Sequence, residues 1–278
     1  MERSVSRAQT LVDASRRAPR ALQRDQVFLA TSGLLFAASA GGTIYWCRSM
    51  PGGMPMPGGW TMSMAWMRMP EQTWIGAAAS FMGMWVPMMA AMMLPSLVPM
   101  LSSYRRSLRG AGGARLGRLT ALAGTAYFLV WAAVGAAAYP VGIAAAQAEM
   151  RWEALARSVP LTTGIVLLFA GCVQLSRWKA RQLEHCRGLP VCGPVLLPDA
   201  GSAWQHGLRL GLRCSLCCSG YMLILLVIGV MDVRAMAVVG AAITLERLAP
   251  WPRPAIKAAG VVAVAAGVLQ IVRVLGVA

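Results

Sequence analysis

The chain has 278 residues, of which 57% are hydrophobic and only 13% charged, and its mean hydropathy is +0.57. A soluble domain carries about 25% charged residues, so the composition excludes an ordinary soluble globule and points to an all-α, polytopic membrane helix bundle. The net charge of +16 is that of cytoplasmic loops collecting Lys and Arg; the basic patches interleaved with aromatics that bind nucleic acid are absent.

Met1 to Gln26 carries Arg3, Arg7, Arg16, Arg17, Arg20 and Arg24 and reads as a basic cytoplasmic segment, 1–26, ahead of a single membrane domain, 27–278. The apolar run Val27 to Trp46 has the ~20-residue length of a full span and exceeds a signal-peptide core. It is expected as a retained first helix with the N-terminus in the cytoplasm. The segment 47–73 follows as an extracytoplasmic loop, because the doublets Pro51-Gly52 and Pro57-Gly58 mark turns. It scatters Met50, Met54, Met56, Met62, Met64, Met67 and Met69 among tryptophans. Methionine has no packing reason to sit in an exposed loop, so Met54, Met56, Met62 and Met64 are candidates for metal capture. The alternative is an apolar cap on the membrane surface, with Trp60, Trp66 and Trp74 at the interface.

The second helix is expected over Trp74 to Leu101. Its stretch Phe81 to Met100 holds seven methionines and three prolines in twenty residues, without a charge. Met84, Met88 and Met92 recur along one helical stripe, with Met89 and Met93 beside it. Pro87 and Pro95 each remove a backbone donor and free the carbonyls of Gly83 and Ala91. Further spans are expected over Leu119–Tyr139, Val159–Leu175, Cys214–Asp232, Ala235–Trp251 and Ala255–Val277, about seven in all. The sixth is the shortest, because Glu246 and Arg247 interrupt its apolar core. Between the fourth and fifth lies a basic cytoplasmic loop, Ser176 to Arg213, containing both histidines, His185 and His206. With the N-terminus inside, cytoplasmic segments hold twenty Lys and Arg against five outside, which fixes the expected orientation.

Two sulfur clusters carry chemistry. Thioether and thiolate are soft donors that suit Cu(I) and, secondarily, zinc. The first cluster is Met88, Met89, Met92 and Met93. The second is Cys214, Cys217, Cys218 and Met222, which at i, i+3, i+4 and i+8 are expected to share one helical face. Measured from centres near Pro87 and Ile224, Met92 and Met93 lie roughly 8 Å, and Cys218 roughly 9 Å, toward the same side. The two clusters are therefore expected in one layer. Asp232 and Glu246 are further polar candidates, both expected close enough to an interface to be solvated, with Glu246 paired to its neighbour Arg247. His185, Cys186 and Cys192 stand where a metal could be passed on. Seven cysteines without even spacing argue against a disulfide framework. No Ser/His/Asp set, phosphate-cradling loop or His-Glu-x-x-His is present, so no catalytic residue is assigned and the chain is not expected to be an enzyme. With neither histidine in a span, a bis-histidine haem is also not expected.

These features together resemble an uncharacterised bacterial family of integral membrane proteins described as predicted metal-binding and sometimes labelled copper chaperones. The residues that carry the resemblance are Trp85-Val86-Pro87-Met88-Met89-Ala90-Ala91-Met92-Met93-Leu94-Pro95, His185-Cys186-Arg187, Gly207 to Met222, and Gly229-Val230-Met231 ahead of Glu246-Arg247. The likeness covers about Trp74 to Trp251, and the Met-rich loop is an elaboration outside it. Where the pattern has glycine before the cysteine pair and asparagine after Gly-Val-Met, this chain has Leu216 and Asp232.

The first reading is a multi-pass protein of the bacterial inner membrane that handles Cu(I) through Met and Cys. Its partners would be the lipid bilayer and a metallochaperone or copper-dependent membrane enzyme, with no nucleic acid. Two other readings stand beside it. One is a structural or assembly subunit of a larger membrane complex without its own metal; the other is a membrane thiol-redox protein using Cys217 and Cys218.

Overall fold

The computed structural model describes residues 2–49, 53–68, 71–108, 112–187 and 198–276, with side chains described from Asp25 onward except those of His185 and Arg187. Met50, the Pro51-Gly52 doublet, Met69 and Cys192 lie outside the described residues, as do the side chains of the six N-terminal arginines. The described chain is all-α apart from one small hairpin. Its helices are α1 (Glu2–Ser49), α2 (Trp74–Ser107), α3 (Gly113–Arg151), α4 (Glu153–Leu175), α5 (Arg177–Arg187), α6 (Ala200–Ile228), α7 (Val233–Leu248) and α8 (Pro252–Val274).

Six of these helices, α1, α2, α3, α4, α6 and α8, are long and apolar enough to cross a membrane. The sixth expected span, Ala235–Trp251, corresponds to α7, which has 16 residues and reaches only about 24 Å, against the ~30 Å of a hydrocarbon core. Two further expectations are corrected here. The stretch Ser176–Arg213 is not simply a loop: it holds α5 and the first half of α6, so Cys214 lies mid-helix and not at a helix start. His206 consequently sits within a long apolar helix, stacked on Tyr104 at 4.7 Å between ring centroids.

Local sequence accounts for the helix ends. Thr73 accepts a hydrogen bond from the Gly76 amide at the start of α2, and Asp199 accepts one from Ser202 at the start of α6. Gly229 closes α6 with φ of 134°, a conformation that favours glycine. Asp232 then caps α7, its carboxylate 2.8 Å and 3.0 Å from the amides of Arg234 and Ala235. This exposed cap explains Asp232 as a backbone partner.

Packing follows from small residues, which let the helix backbones approach closely. Gly207 and Gly211, four apart on α6, face α3 so closely that a Cβ at Gly211 would stand 3.0 Å from the Tyr127 carbonyl. Gly164 and Gly171 of α4 meet Gly267 and Gly260 of α8 in the same way. α2 runs through Pro87, Pro95 and Pro99 without a break. One of its faces, from Val86 through Ala90 to Leu97, lines a groove of about 1030 Å³ shared with α1 and α3. Its other face buries Met84, Met88, Met89, Met92 and Met93.

The Met-rich segment forms an antiparallel hairpin, β1 (Gly53–Met56) and β2 (Trp60–Ser63), followed by a 3-10 turn at Met64–Trp66. Its register sets Met54 opposite Met62 and Met56 opposite Trp60. Trp60 donates to the Ala156 carbonyl of α4 at 2.8 Å, and the Trp66 ring packs tilted against Phe81 of α2 at 5.2 Å between centroids. The segment therefore folds onto the bundle, with Met62 buried and Met54 41% exposed.

Candidate metal centre

The close approach of α6 to α3 at Gly207 and Gly211 decides what stands around the next turn of α6. Cys214 follows Gly211 by three residues, and its Sγ lies 2.9 Å from the Tyr127 hydroxyl of α3. Cys218, one turn further along the same face, has its thiol within hydrogen-bonding reach of Cys214. On the opposite side, α2 brings Met93 Sδ to 3.9 Å from Cys214 Sγ. α7 completes the enclosure. Its Gly240 packs against Met92, and near its C-terminus Arg247 turns inward. Arg247 Nη2 stands 2.9 Å from Cys214 Sγ and 3.3 Å from Cys218 Sγ, while Nη1 donates to Ser96 Oγ at 3.4 Å. Ser96 in turn donates to the Met93 carbonyl at 3.0 Å. All of these side chains are buried.

Cys217 turns the other way. It packs with Leu183, Cys186 and Ile256, so the expected single face of Cys214, Cys217, Cys218 and Met222 divides in two. A hydrogen bond from the Cys217 thiol holds Cys186 below the ordinary thiol range, against burial, which pushes it up. Cys186 Sγ itself donates to the Arg213 carbonyl at 3.3 Å. Five sulfurs thus stand on three helices in two groups: Met93, Cys214 and Cys218 on one side of α6, and Cys217 with Cys186 on the other.

The polar candidates sort differently from expectation. Glu246 is buried, 2% exposed, and does not pair with Arg247. Adjacent residues on a helix point about 100° apart, and Glu246 faces α5, where its Oε2 lies 2.9 Å from Lys179 Nζ. Tyr221 and Gln174 both donate to its Oε1. Lys179 also donates to the Cys217 carbonyl at 2.8 Å. The His185 side chain lies outside the described residues.

Of the sequence candidates, Met93, Cys214 and Cys218 converge. Met88, Met89 and Met92 share the buried face of α2, and Met222 is buried one turn beyond Cys218. Met54, Met56, Met62 and Met64 belong to the hairpin segment, a separate part of the fold. Sequence reasoning assigned no role to Tyr127, Ser96, Lys179, Gln174 or Tyr221, none of which stands in a motif. Arg247 carried a signal, a charge inside an apolar segment, but its partner was misassigned.

Among the described residues, no group of three or more His, Cys, Asp or Glu side chains is arranged to hold a metal ion. The donors that do converge are two thiols and a thioether. That set falls short of the four Cys or His ligands of a structural zinc site and is soft throughout, as Cu(I) prefers. No curated protein and no solved structure matches the chain. The family model described as PpoB2, copper chaperone, matches residues 82–270. That stretch contains Met93, Cys186, the cysteine triplet and Arg247, and leaves out the hairpin. By that match the chain belongs to the PpoB2 copper chaperone family.

Proposed function

We propose that this chain is a multi-pass protein of a bacterial inner membrane that binds Cu(I) between α2 and α6 and passes it on, acting as a carrier without chemistry of its own. Met93, Cys214 and Cys218 are the ligands, and Cys217 and Cys186 are the next stations. The observation that carries this reading is the 3.9 Å approach of Met93 Sδ to Cys214 Sγ, which joins the two sulfur clusters. Copper moves by exchange between neighbouring soft donors, and the two sulfur groups on either side of α6 supply successive ones. The hairpin methionines serve as an entry surface on the other side of the membrane. A metallochaperone or a copper-dependent membrane enzyme is the class of partner at either end.

The test is metal analysis of the purified protein under reducing conditions. Wild type is expected to hold one Cu(I) that is absent from a Cys214→Ser/Cys218→Ser variant. It should also be weakened in a variant with Met88, Met89, Met92 and Met93 all replaced by leucine. Unchanged copper content in both variants would refute the reading.

The packing of Cys186 with Cys217 in one buried cluster favours a second reading, a thiol-redox protein. Its pair bridges two helices, which suits a disulfide better than the vicinal Cys217 and Cys218 on one helix. Mild oxidant separates the two. Rapid formation of a Cys186–Cys217 disulfide that bound Cu(I) fails to prevent would favour redox work over metal transfer.

A further inference from the structure

Arg247 is a buried cation, 5% exposed, and among the described residues no carboxylate pairs with it. Its Nη2 meets Cys214 and Cys218, its Nη1 meets Ser96, and its Nε has no hydrogen-bond partner. The neighbouring buried charges, Lys179 and Glu246, neutralise each other at 2.9 Å. Tyr127 contributes a neutral hydroxyl. A guanidinium keeps its proton in any protein, so its positive charge is permanent. A buried unpaired charge is strongly destabilising, and among the described groups that meet it the two thiols are the ones that can become negative.

We infer that Arg247 sets the charge of the metal that this centre accepts, matching it to a monovalent soft cation and against a divalent one. The inference rests on the copper reading above and adds its selectivity. As a metal binds, the two thiol protons leave to bulk water and no electron moves. Two thiolates, one guanidinium and a monovalent metal then sum to zero. The same donors around Zn(II) leave one uncompensated positive charge beside a fixed guanidinium. In a medium of low dielectric that excess is unfavourable. Softness of the ligands already prefers Cu(I), but soft thiolates also hold zinc, so the added discrimination comes from charge. Arg247 touches the two ligating thiols, which makes it a specificity-determining residue.

The test compares Ag(I), a redox-inert stand-in for Cu(I), with Zn(II) on the purified full chain in detergent. Binding is counted as the part lost in Cys214→Ser/Cys218→Ser. Arg247→Gln is expected to lower the ratio of Ag(I) to Zn(II) affinity at least tenfold, whereas Arg247→Lys, which keeps the charge, should hold it near the wild-type value. Ser96→Asp leaves the arginine in place and adds a carboxylate beside its Nη1. It should shift the ratio toward Zn(II) in the same sense, and it carries the test if Arg247→Gln does not fold. If Arg247→Gln and Ser96→Asp both keep the wild-type ratio, the charge-matching role is overturned while the copper reading stands. If wild type binds no Ag(I) through Cys214 and Cys218, both fall together.

Discussion

Two buried cations flank α6, and they are served in opposite ways. Lys179 has a carboxylate at 2.9 Å, a carbonyl at 2.8 Å and the face of Tyr221 at 4.9 Å. Arg247 has two sulfurs, a hydroxyl and one unsatisfied nitrogen. Glu246, which serves Lys179, and Arg247 itself are neighbours in the chain that point to different sides of α7. The lysine side is closed, with every strong acceptor nearby already engaged. The arginine side is open in the chemical sense, because thiols gain negative charge only when something deprotonates or metallates them. A fully paired ion pair buried in a helix bundle fixes an arrangement; an arginine set against thiols leaves room for a ligand.

That contrast predicts different failures. The largest belongs to the lysine side. Glu246→Ala strands a buried ammonium, and the loss of stability should be about 3–5 kcal/mol, read as a fall in the thermal unfolding midpoint in detergent. Replacing both partners, Lys179→Met with Glu246→Gln, should recover most of it. If the double variant is as unstable as the single one, the pairing is not what holds α5, α6 and α7 together.

The next effect lies on the sulfur side and should leave stability nearly untouched. Cys214→Ser/Cys218→Ser removes ligands, so Cu(I) affinity should fall by more than the roughly 10–100-fold that loss of a ligand's hydrogen-bond partner costs. Competition with a Cu(I) chelator measures it, and a change of less than tenfold would place copper elsewhere. Met93→Leu should weaken binding by about tenfold, about 1.4 kcal/mol. As a volume-conserving swap it should destabilise the fold by less than about 1.5 kcal/mol. Equal weakening by Met89→Leu would show that the α2 methionines act through packing and not through the Met93 contact.

Smaller still is the effect expected of Cys217→Ser. The serine should leave Cu(I) affinity at the centre unchanged while slowing passage of metal to an acceptor thiol, followed by stopped-flow transfer to a chelator of higher affinity. A transfer rate equal to wild type would take Cys217 out of the route. The smallest effect is reserved for the hairpin. Met54→Leu/Met62→Leu should not alter equilibrium affinity and should slow loading only at limiting copper, because these methionines belong to a hairpin outside the centre formed by α2, α3, α6 and α7.

Much of this was legible in the sequence, and the reasons differ by residue. The long apolar runs announce α1, α2, α3, α4, α6 and α8 because each must bury its own backbone hydrogen bonds in an apolar layer. Cys214 and Cys218 were readable as neighbours because four residues make nearly one helical turn. Cys217 was not readable, because spacing alone does not say which neighbouring helix each side of α6 meets. The start of α6 was set too late because Arg209 and Arg213 looked like loop residues; the Asp199 cap marks the true beginning. Glu246 was matched to Arg247 by adjacency, though neighbours on a helix diverge by about 100°.

The sequence by itself determined an all-α chain of apolar spans, two clusters of soft donors at compatible depths, and the likeness to a family labelled for copper. Those properties are local, set by hydropathy, helical period and the chemistry of sulfur. Only the tertiary structure decided that Met93 is the methionine that meets Cys214, that Cys217 leaves the cluster for Cys186, and that Arg247 supplies the charge beside the thiols. These depend on rotation of one helix against another. That rotation is fixed by the glycine contacts of α6 with α3 and by the lysine–glutamate pair joining α5 to α7, between residues far apart in the chain.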